Sequence, residues 1–149
     1  MTLLRDETND GVRKKFSPYR NFQYLRMSYK KCMEDEKYIR DEEYGERLLI
    51  SPNADQREIK SNIRAARAIL CSFPDVYIVI NAHSYLIGHK NPEYTIDGKL
   101  GDRKGIMGEK GITAGFKSAK KQGCKIVVID LDEHIFLRAI ESEVEKLKP

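Results

Sequence analysis

The segment Lys90–Gly105 reads KNPEYTIDGKLGDRKG and decides how the centre of this chain folds. Its two halves flank an Asp-Gly pair, which is a strong signal for a β-hairpin with a two-residue turn. Asp97 and Gly98 are therefore expected to form the tip, with Ile96 paired to Lys99. Every other pairing along the two strands follows from that register.

The hairpin register brings two acidic residues together. Because side chains alternate along a strand, Glu93 is expected directly opposite Asp102, with Cβ atoms roughly 5 Å apart. Like charges opposed in this way destabilise a sheet unless a cation neutralises them, and carboxylates suit Mg²⁺ or Mn²⁺. Lys104 falls on the same face, where it could orient a water molecule or stabilise charge on a phosphate. A solvated hairpin in which Lys104 merely offsets Asp102 explains the same pattern.

The segments around the hairpin predict an α/β fold, with a mixed central β-sheet flanked by helices. Apolar and β-branched runs predict strands at 45–52, 76–80 and 125–131, and apolar residues at helical spacing predict helices at 56–71, after the glycine-rich loop 105–111, and at the C-terminus. The element order is then strand, helix, three strands, helix, strand, helix.

Residues 1–45 differ from the α/β domain, 46–149, and predict a charged, Tyr-rich, helical N-terminal extension. Between Arg13 and Lys31 there are seven basic residues, interleaved with aromatic ones, and no acidic residue. Such a segment can bind nucleic acid through phosphate contacts and base stacking. It is equally typical of a helix that packs its aromatic side chains on the domain and leaves its charges in water. The candidate nucleic-acid-binding residues are Lys14, Lys15, Lys90 and Arg103.

Composition sets outer bounds on the function. The 149 residues carry a net charge of +4, which permits a polyanionic partner without requiring one. No apolar run approaches the length of a membrane span, and the first ten residues lack the pattern of a signal peptide. The three cysteines, Cys32, Cys71 and Cys124, are far apart. They predict reduced thiols in a cytoplasmic protein rather than a zinc site or a disulfide framework.

Pro92-Glu93, followed by Asp102-Arg103-Lys104, resembles the motif of the PD-(D/E)XK nucleases. The order helix, three strands, helix, strand resembles the core of that family as well. The fuller string NPEYTIDGKLGDRK, with the later KIVVIDL, resembles the C-terminal nuclease domains of CdiA-type contact-dependent inhibition toxins and related phage and polymorphic toxin domains. The resemblance covers residues 46–132.

The resemblance implies a metal-dependent endonuclease that cleaves phosphodiester bonds in tRNA or DNA, as a toxin module with a cognate immunity protein for a partner. Its first acid corresponds to Glu93, where the family has aspartate, its second to Asp102 and its lysine to Lys104. The two carboxylates would then hold Mg²⁺ or Mn²⁺. The glutamate on the family's first helix corresponds to Glu58, which also completes a capping-box pattern with Asp55.

Two other functions fit the same residues. His83 and His89, with Lys90 or Lys104, could cleave RNA without a metal, as ribonucleases of the barnase, EndoU, colicin and RelE-like type do. Both histidines equally fit a polar loop. A non-catalytic nucleic-acid-binding or scaffold module would instead rely on the basic, Tyr-rich extension. Asp97 is expected to orient the turn, and it would join the site only if the register slipped.

Overall fold

The computed structural model describes residues 2–5, 37–131 and 135–148, and of 2–5 it describes the backbone alone. They form an α/β fold with a mixed β-sheet of six strands between residues 39 and 131, and Thr2–Arg5 adds a seventh at the edge. In chain order the elements are β1 Thr2–Arg5, β2 Ile39–Asp41, β3 Gly45–Ile50, α1 Ile59–Ser72, β4 Ile78–Ile80, β5 Tyr94–Ile96, β6 Lys99–Ile106, α2 Lys110–Lys121, β7 Ile126–Leu131 and α3 Leu137–Glu145. The predicted fold class is confirmed.

The strands lie in the order β1-β7-β6-β5-β4-β3-β2. The two parallel pairs, β3 with β4 and β6 with β7, are each connected through a helix, as parallel neighbours require. The strand β5 is antiparallel to both of its neighbours, β4 and β6. None of the helices in the described residues is long and apolar enough to cross a membrane.

The hairpin between β5 and β6 has the predicted register, with Ile96 opposite Lys99. Asp97 and Gly98 both have positive φ angles, 46° and 76°, which is the conformation that an Asp-Gly hairpin turn requires. Asp97 also fixes the turn to the segment before β4, because its Oδ1 accepts a hydrogen bond from the Tyr77 N–H at 3.0 Å. Asp97 therefore orients the turn.

Apolar side chains cover both faces of the sheet. The face toward α1 includes Leu48, Ile78 and Val128, and the face toward α2 and α3 includes Val127 and Ile129. This alternation along β7 shows that the strand is buried on both sides, as its continuous apolar run predicts. Because β6 lies between β7 and β5 inside the sheet, a polar residue on β6 such as Asp102 is buried.

The predicted helical extension, residues 1–45, falls mostly outside the described residues, and so do Lys14 and Lys15. Its described ends are strands, since β1 pairs antiparallel with β7 and β2 pairs antiparallel with β3. At the end of β2 the buried carboxylate of Asp41 accepts a hydrogen bond from the Arg67 guanidinium at 2.8 Å. These two short segments complete the sheet.

Candidate active site

The candidate site lies where β5 begins, opposite the middle of β6. Tyr94 is the first residue of β5 and pairs with Gly101, whereas β6 continues to Ile106. The backbone N–H of Arg103 donates instead to Oε2 of Glu93, at 2.9 Å. The carboxylate of Glu93 thus bonds the backbone of β6 next to Asp102, whereas the paired register itself ends one residue earlier, at Tyr94 and Gly101.

Asp102 and Lys104 form a buried ion pair on the α2 face of β6. Asp102 is only 2% exposed, and the Lys104 Nζ lies 2.6 Å from its Oδ2. The side chain of Gln122, at the end of α2, donates to the same oxygen at 3.1 Å. No described residue donates a hydrogen bond to Oδ1 of Asp102. One carboxylate oxygen is therefore compensated, as a buried charge requires.

The pKa of the Glu93 carboxyl is raised by its surroundings. Burial, and after it the nearby carboxylate of Asp102, raise the pKa of Glu93 from 4.5 to about 7. The hydrogen bond from Arg103 and the positive charge of Lys104 act in the opposite direction without cancelling this rise. The two carboxylates are close enough to repel each other, which is the condition that a bound divalent cation relieves.

The donor set at this position fits Mg²⁺ or Mn²⁺. Within the described ranges no group of three or more His, Cys, Asp or Glu side chains lies together, so the protein offers the pair Glu93 and Asp102. Mg²⁺ usually keeps several waters and binds through one or two carboxylates together with substrate phosphates. Glu93 and Asp102 would supply two such carboxylates.

Two glycines of α2 allow the helix to approach the strand that carries Lys104. A Cβ atom on Gly115 would lie 3.2 Å from the Cβ of Lys104, and one on Gly111 would lie 2.9 Å from the Cγ2 of Ile106. The sequence places Gly111 in a loop, but α2 begins at Lys110 and both glycines lie in the helix, one turn apart. Their spacing of four residues was the signal of this close packing.

Arg103 points to the opposite face and joins α1 to β7. Its Nε donates to Asn62 Oδ1 at 2.7 Å, its Nη1 donates to Asp130 Oδ2 at 3.1 Å, and its Nη2 pairs with Glu58. Arg64 also bonds Asp130, at 2.8 Å. The Arg103 side chain is 9% exposed, so it has little surface left for the nucleic acid that it was predicted to bind. Its contacts are those of a positioning residue.

Glu58 does not act as the capping residue that the capping-box pattern suggests. It is the N-cap residue of α1, yet its side chain makes no cap hydrogen bond and turns to Arg103 instead. It also lines the open cleft described next, together with Glu93. The structure therefore brings the predicted helix glutamate to the candidate site, where it is held by Arg103.

An open cleft of about 510 Å³ connects these groups. Its lining residues are Glu58, Ser61, Arg64, Glu93, Arg103, Lys104 and Gly105. Three of the four predicted catalytic residues line it, and the fourth, Asp102, lies bonded to Lys104. The sequence analysis missed Ser61 and Arg64. They follow Glu58 at intervals of three residues, which places all three on one side of α1, and that spacing could have identified them.

Of the residues of the alternative ribonuclease site, Lys104 lines this cleft and the two histidines do not, although His83 lines a small neighbouring pocket together with Glu93. His83 Nδ1 is 3.8 Å from Asp55 Oδ2, and His89 Nδ1 is 3.0 Å from Ser84 Oγ. Lys90 is exposed beside them. His89 thus contacts its own loop, whereas His83 contacts the connection before α1.

Comparison of the chain with protein-family models, with curated proteins and with solved structures gives no match. The PD-(D/E)XK resemblance therefore rests on the residues quoted from the sequence. What the chain does has to be inferred from the chemistry of the cleft and of Glu93, Asp102 and Lys104.

Proposed function

We propose that this chain is a metal-dependent endonuclease that cleaves phosphodiester bonds in tRNA or DNA. One observation supports the proposal most: Glu93 and Lys104 line an open cleft, and Asp102, which pairs with Lys104, lies close enough to help raise the pKa of Glu93. The PD-(D/E)XK resemblance adds the setting of a toxin module that a cognate immunity protein inhibits.

The residues divide the chemistry in a way that follows from their contacts. A divalent cation held by Glu93 and Asp102 would supply a bound water of lowered pKa and would polarise a phosphate oxygen. The ammonium of Lys104 lies 2.6 Å from Asp102, so it stands beside that position and can bond the attacking water or the phosphate. Glu58, fixed by Arg103, lines the same cleft and completes its acidic side.

The burial of Asp102 is hard to reconcile with a merely solubilising hairpin. An exposed ion pair contributes little to the stability of a fold. Asp102 is instead held in the centre of the sheet, where a carboxylate has to be compensated by hydrogen bonds and an opposite charge. A functional role accounts for a charge kept at such a position.

The decisive experiment incubates the purified chain with total tRNA, ribosomal RNA and plasmid DNA, with Mg²⁺, with Mn²⁺ or with EDTA. Cleavage is expected only with metal. Lys104→Ala should lower the rate by about 10²-fold while leaving metal affinity nearly unchanged, because an ammonium serves the water or the phosphate rather than the cation. Lys99→Ala is the matched control, since Lys99 is an exposed lysine at the start of the same strand.

Other results would replace the proposal. Cleavage that persists in EDTA and disappears with His83→Ala would identify a metal-independent ribonuclease. Binding of nucleic acid without cleavage under any metal condition would identify a non-catalytic module.

A further inference from the structure

The connection between β4 and β5 displays three large apolar residues that the proposed chemistry does not use. Tyr85, Leu86 and Ile87, here called the loop tip, are all exposed, and Tyr85 is 73% exposed. They belong to the connection from β4 to β5, which ends in Pro92-Glu93. Three consecutive exposed apolar residues are unusual on a surface that is otherwise well charged, and they indicate a contact.

The loop is held in place by hydrogen bonds at its base. The side chain of Asn91 accepts from the Ser84 N–H and donates to the Ser84 carbonyl, both at 2.8 Å. Ser84 Oγ also bonds His89 at 3.0 Å, and the His83 N–H donates to the Asn53 carbonyl at 2.9 Å. The loop tip is therefore presented by a braced scaffold, so a ligand need not order it first.

The loop tip stands next to the start of α1. The rings of His83 and Tyr85 lie 4.6 Å apart at an angle of 56°, in a tilted aromatic contact. His83 is in turn 3.8 Å from Asp55, which forms an ion pair with Arg57 at 3.3 Å. This chain of contacts connects the aromatic surface to the basic side of α1.

Arg57, Lys60 and Arg64 are here called the basic stripe. Lys60 and Arg64 lie four residues apart on one side of α1, and Arg57 lies in the turn two residues before the helix. Arg57 and Arg64 are 77% and 63% exposed, although they pair with Asp55 and Asp130, whose own side chains are mostly buried. Glu58, between Arg57 and Lys60 in the sequence, is 47% exposed but pairs with Arg103, so basic side chains supply most of the charge that reaches solvent here. Arg64 also lines the cleft.

We propose that the basic stripe and the loop tip bind an unpaired nucleic-acid strand, with phosphates along the stripe and bases on the tip. The inference rests on the proposed endonuclease function and narrows its substrate to nucleic acid with unpaired nucleotides. Phosphate contacts alone do not distinguish a single strand from a duplex. Aromatic and aliphatic side chains do, because only unpaired bases expose the faces on which they stack.

Binding in EDTA, where the strand should remain uncut, tests the role of the loop tip. Fluorescence anisotropy would compare a short labelled single strand with the matching duplex. Tyr85→Ala should weaken single-strand binding by about tenfold and duplex binding by less than about twofold, whereas Tyr85→Phe keeps the ring and the affinity. Ile87→Ser is a second variant, chosen because the Ile87 side chain is fully exposed. Phe136→Ala, an exposed aromatic residue at the start of α3, is the control.

The salt dependence of the same binding tests the basic stripe. Lys60→Gln should reduce the slope of log affinity against log salt concentration by about 0.7 for a single strand, because one phosphate contact is lost. Lys117→Gln removes the same charge from an exposed position on α2 and should leave the slope unchanged.

Three results would overturn the inference. Tyr85→Ala could weaken single-strand and duplex binding equally, it could change neither, or it could abolish self-association and so reveal the loop tip as an interface between copies. If the wild type still cleaves nucleic acid with metal, any of these results leaves the proposed endonuclease intact. If the wild type neither cleaves nor binds nucleic acid, the proposed function fails together with the inference.

Discussion

Arg103 and Lys104 are neighbours in β6, yet they point to opposite sides of the sheet and meet different partners. Toward α1, two guanidinium groups, those of Arg103 and Arg64, meet two carboxylates and an amide. Around Lys104, the ammonium group pairs with Asp102, and Glu93 lies close enough for both charges to act on its pKa. The first set is balanced in charge, whereas the second carries one excess negative charge whenever both of its carboxyls are ionised.

This difference separates a structural ion network from a candidate active site. A balanced, mostly buried network has all its charges compensated by the protein itself, so it can hold α1 against β6 and β7 without a ligand. On the other side, burial and then the charge of Asp102 raise the pKa of Glu93 to about 7. Strongly perturbed carboxylates of this kind cluster at functional sites.

The largest expected effect comes from removing one charge on the unbalanced side. Asp102→Asn should lower metal-dependent cleavage by about 10³-fold, because one of the two cation ligands is lost. Mg²⁺ or Mn²⁺ should raise the melting temperature of the wild type by binding the folded state and should not raise that of the variant. Asp75→Asn, an exposed aspartate after α1, is the control. A variant that cleaves at the wild-type rate would contradict the assignment.

The balanced side should respond in stability rather than in metal binding. Arg103→Met removes the guanidinium and leaves Glu58 and Asp130 with one partner fewer, which should cost about 3 kcal/mol of the free energy of unfolding. Urea denaturation in EDTA measures this loss, with Arg138→Met, at an exposed position of α3, as the control. The network is not structural if the two variants are equally stable.

The pH dependence of stability should report the raised pKa of Glu93. The folded-state pKa of Glu93, about 7, lies above its ordinary value of 4.5, so the folded protein favours the protonated acid. Without metal, the wild type should therefore lose stability relative to Glu93→Gln as the pH rises from about 4.5 to about 7, by on the order of 1 kcal/mol. Acids that do not interact with Glu93 are common to both proteins and cancel. A constant difference between their unfolding free energies across that range would refute the shift.

The smallest effect is expected from the glycine beneath Lys104. Gly115→Ala crowds the Lys104 Cβ at 3.2 Å, while the gain in helix propensity offsets much of the cost, so stability should change by less than about 1 kcal/mol. Because Lys104 has to move, the cleavage rate should still fall by a few-fold, which a rate measurement would detect. Gly108→Ala is the control, since a Cβ there meets no atom within 4 Å.

The sequence predicted the hairpin and its register because both depend on local rules. An Asp-Gly turn and the alternation of side chains suffice to place Glu93 beside Asp102. The same alternation indicated that Arg103 and Lys104 face opposite sides, but not what Arg103 would meet. Its partner Asn62 is 41 residues away in the sequence, and contacts at that separation depend on how the helices pack.

The first strands could not be recognised from their own residues. The strand Ile39–Asp41 has three residues, too few to show a period of two, and it lies in a strongly charged segment that favoured a helix. It forms a strand because β3 offers it backbone hydrogen bonds. Short edge strands are decided by the sheet they join rather than by their own composition.

The hydrogen bond from the Arg103 N–H to Glu93 gives the protein an internal probe of its own site. The resonance of that amide proton depends on whether its acceptor is a carboxylic acid, a carboxylate or a carboxylate drawn toward a cation. In a nuclear magnetic resonance titration, one backbone signal would therefore follow both proton and metal binding. This signal would read the electrostatic state of the candidate site without substrate and without altering any residue of the chain.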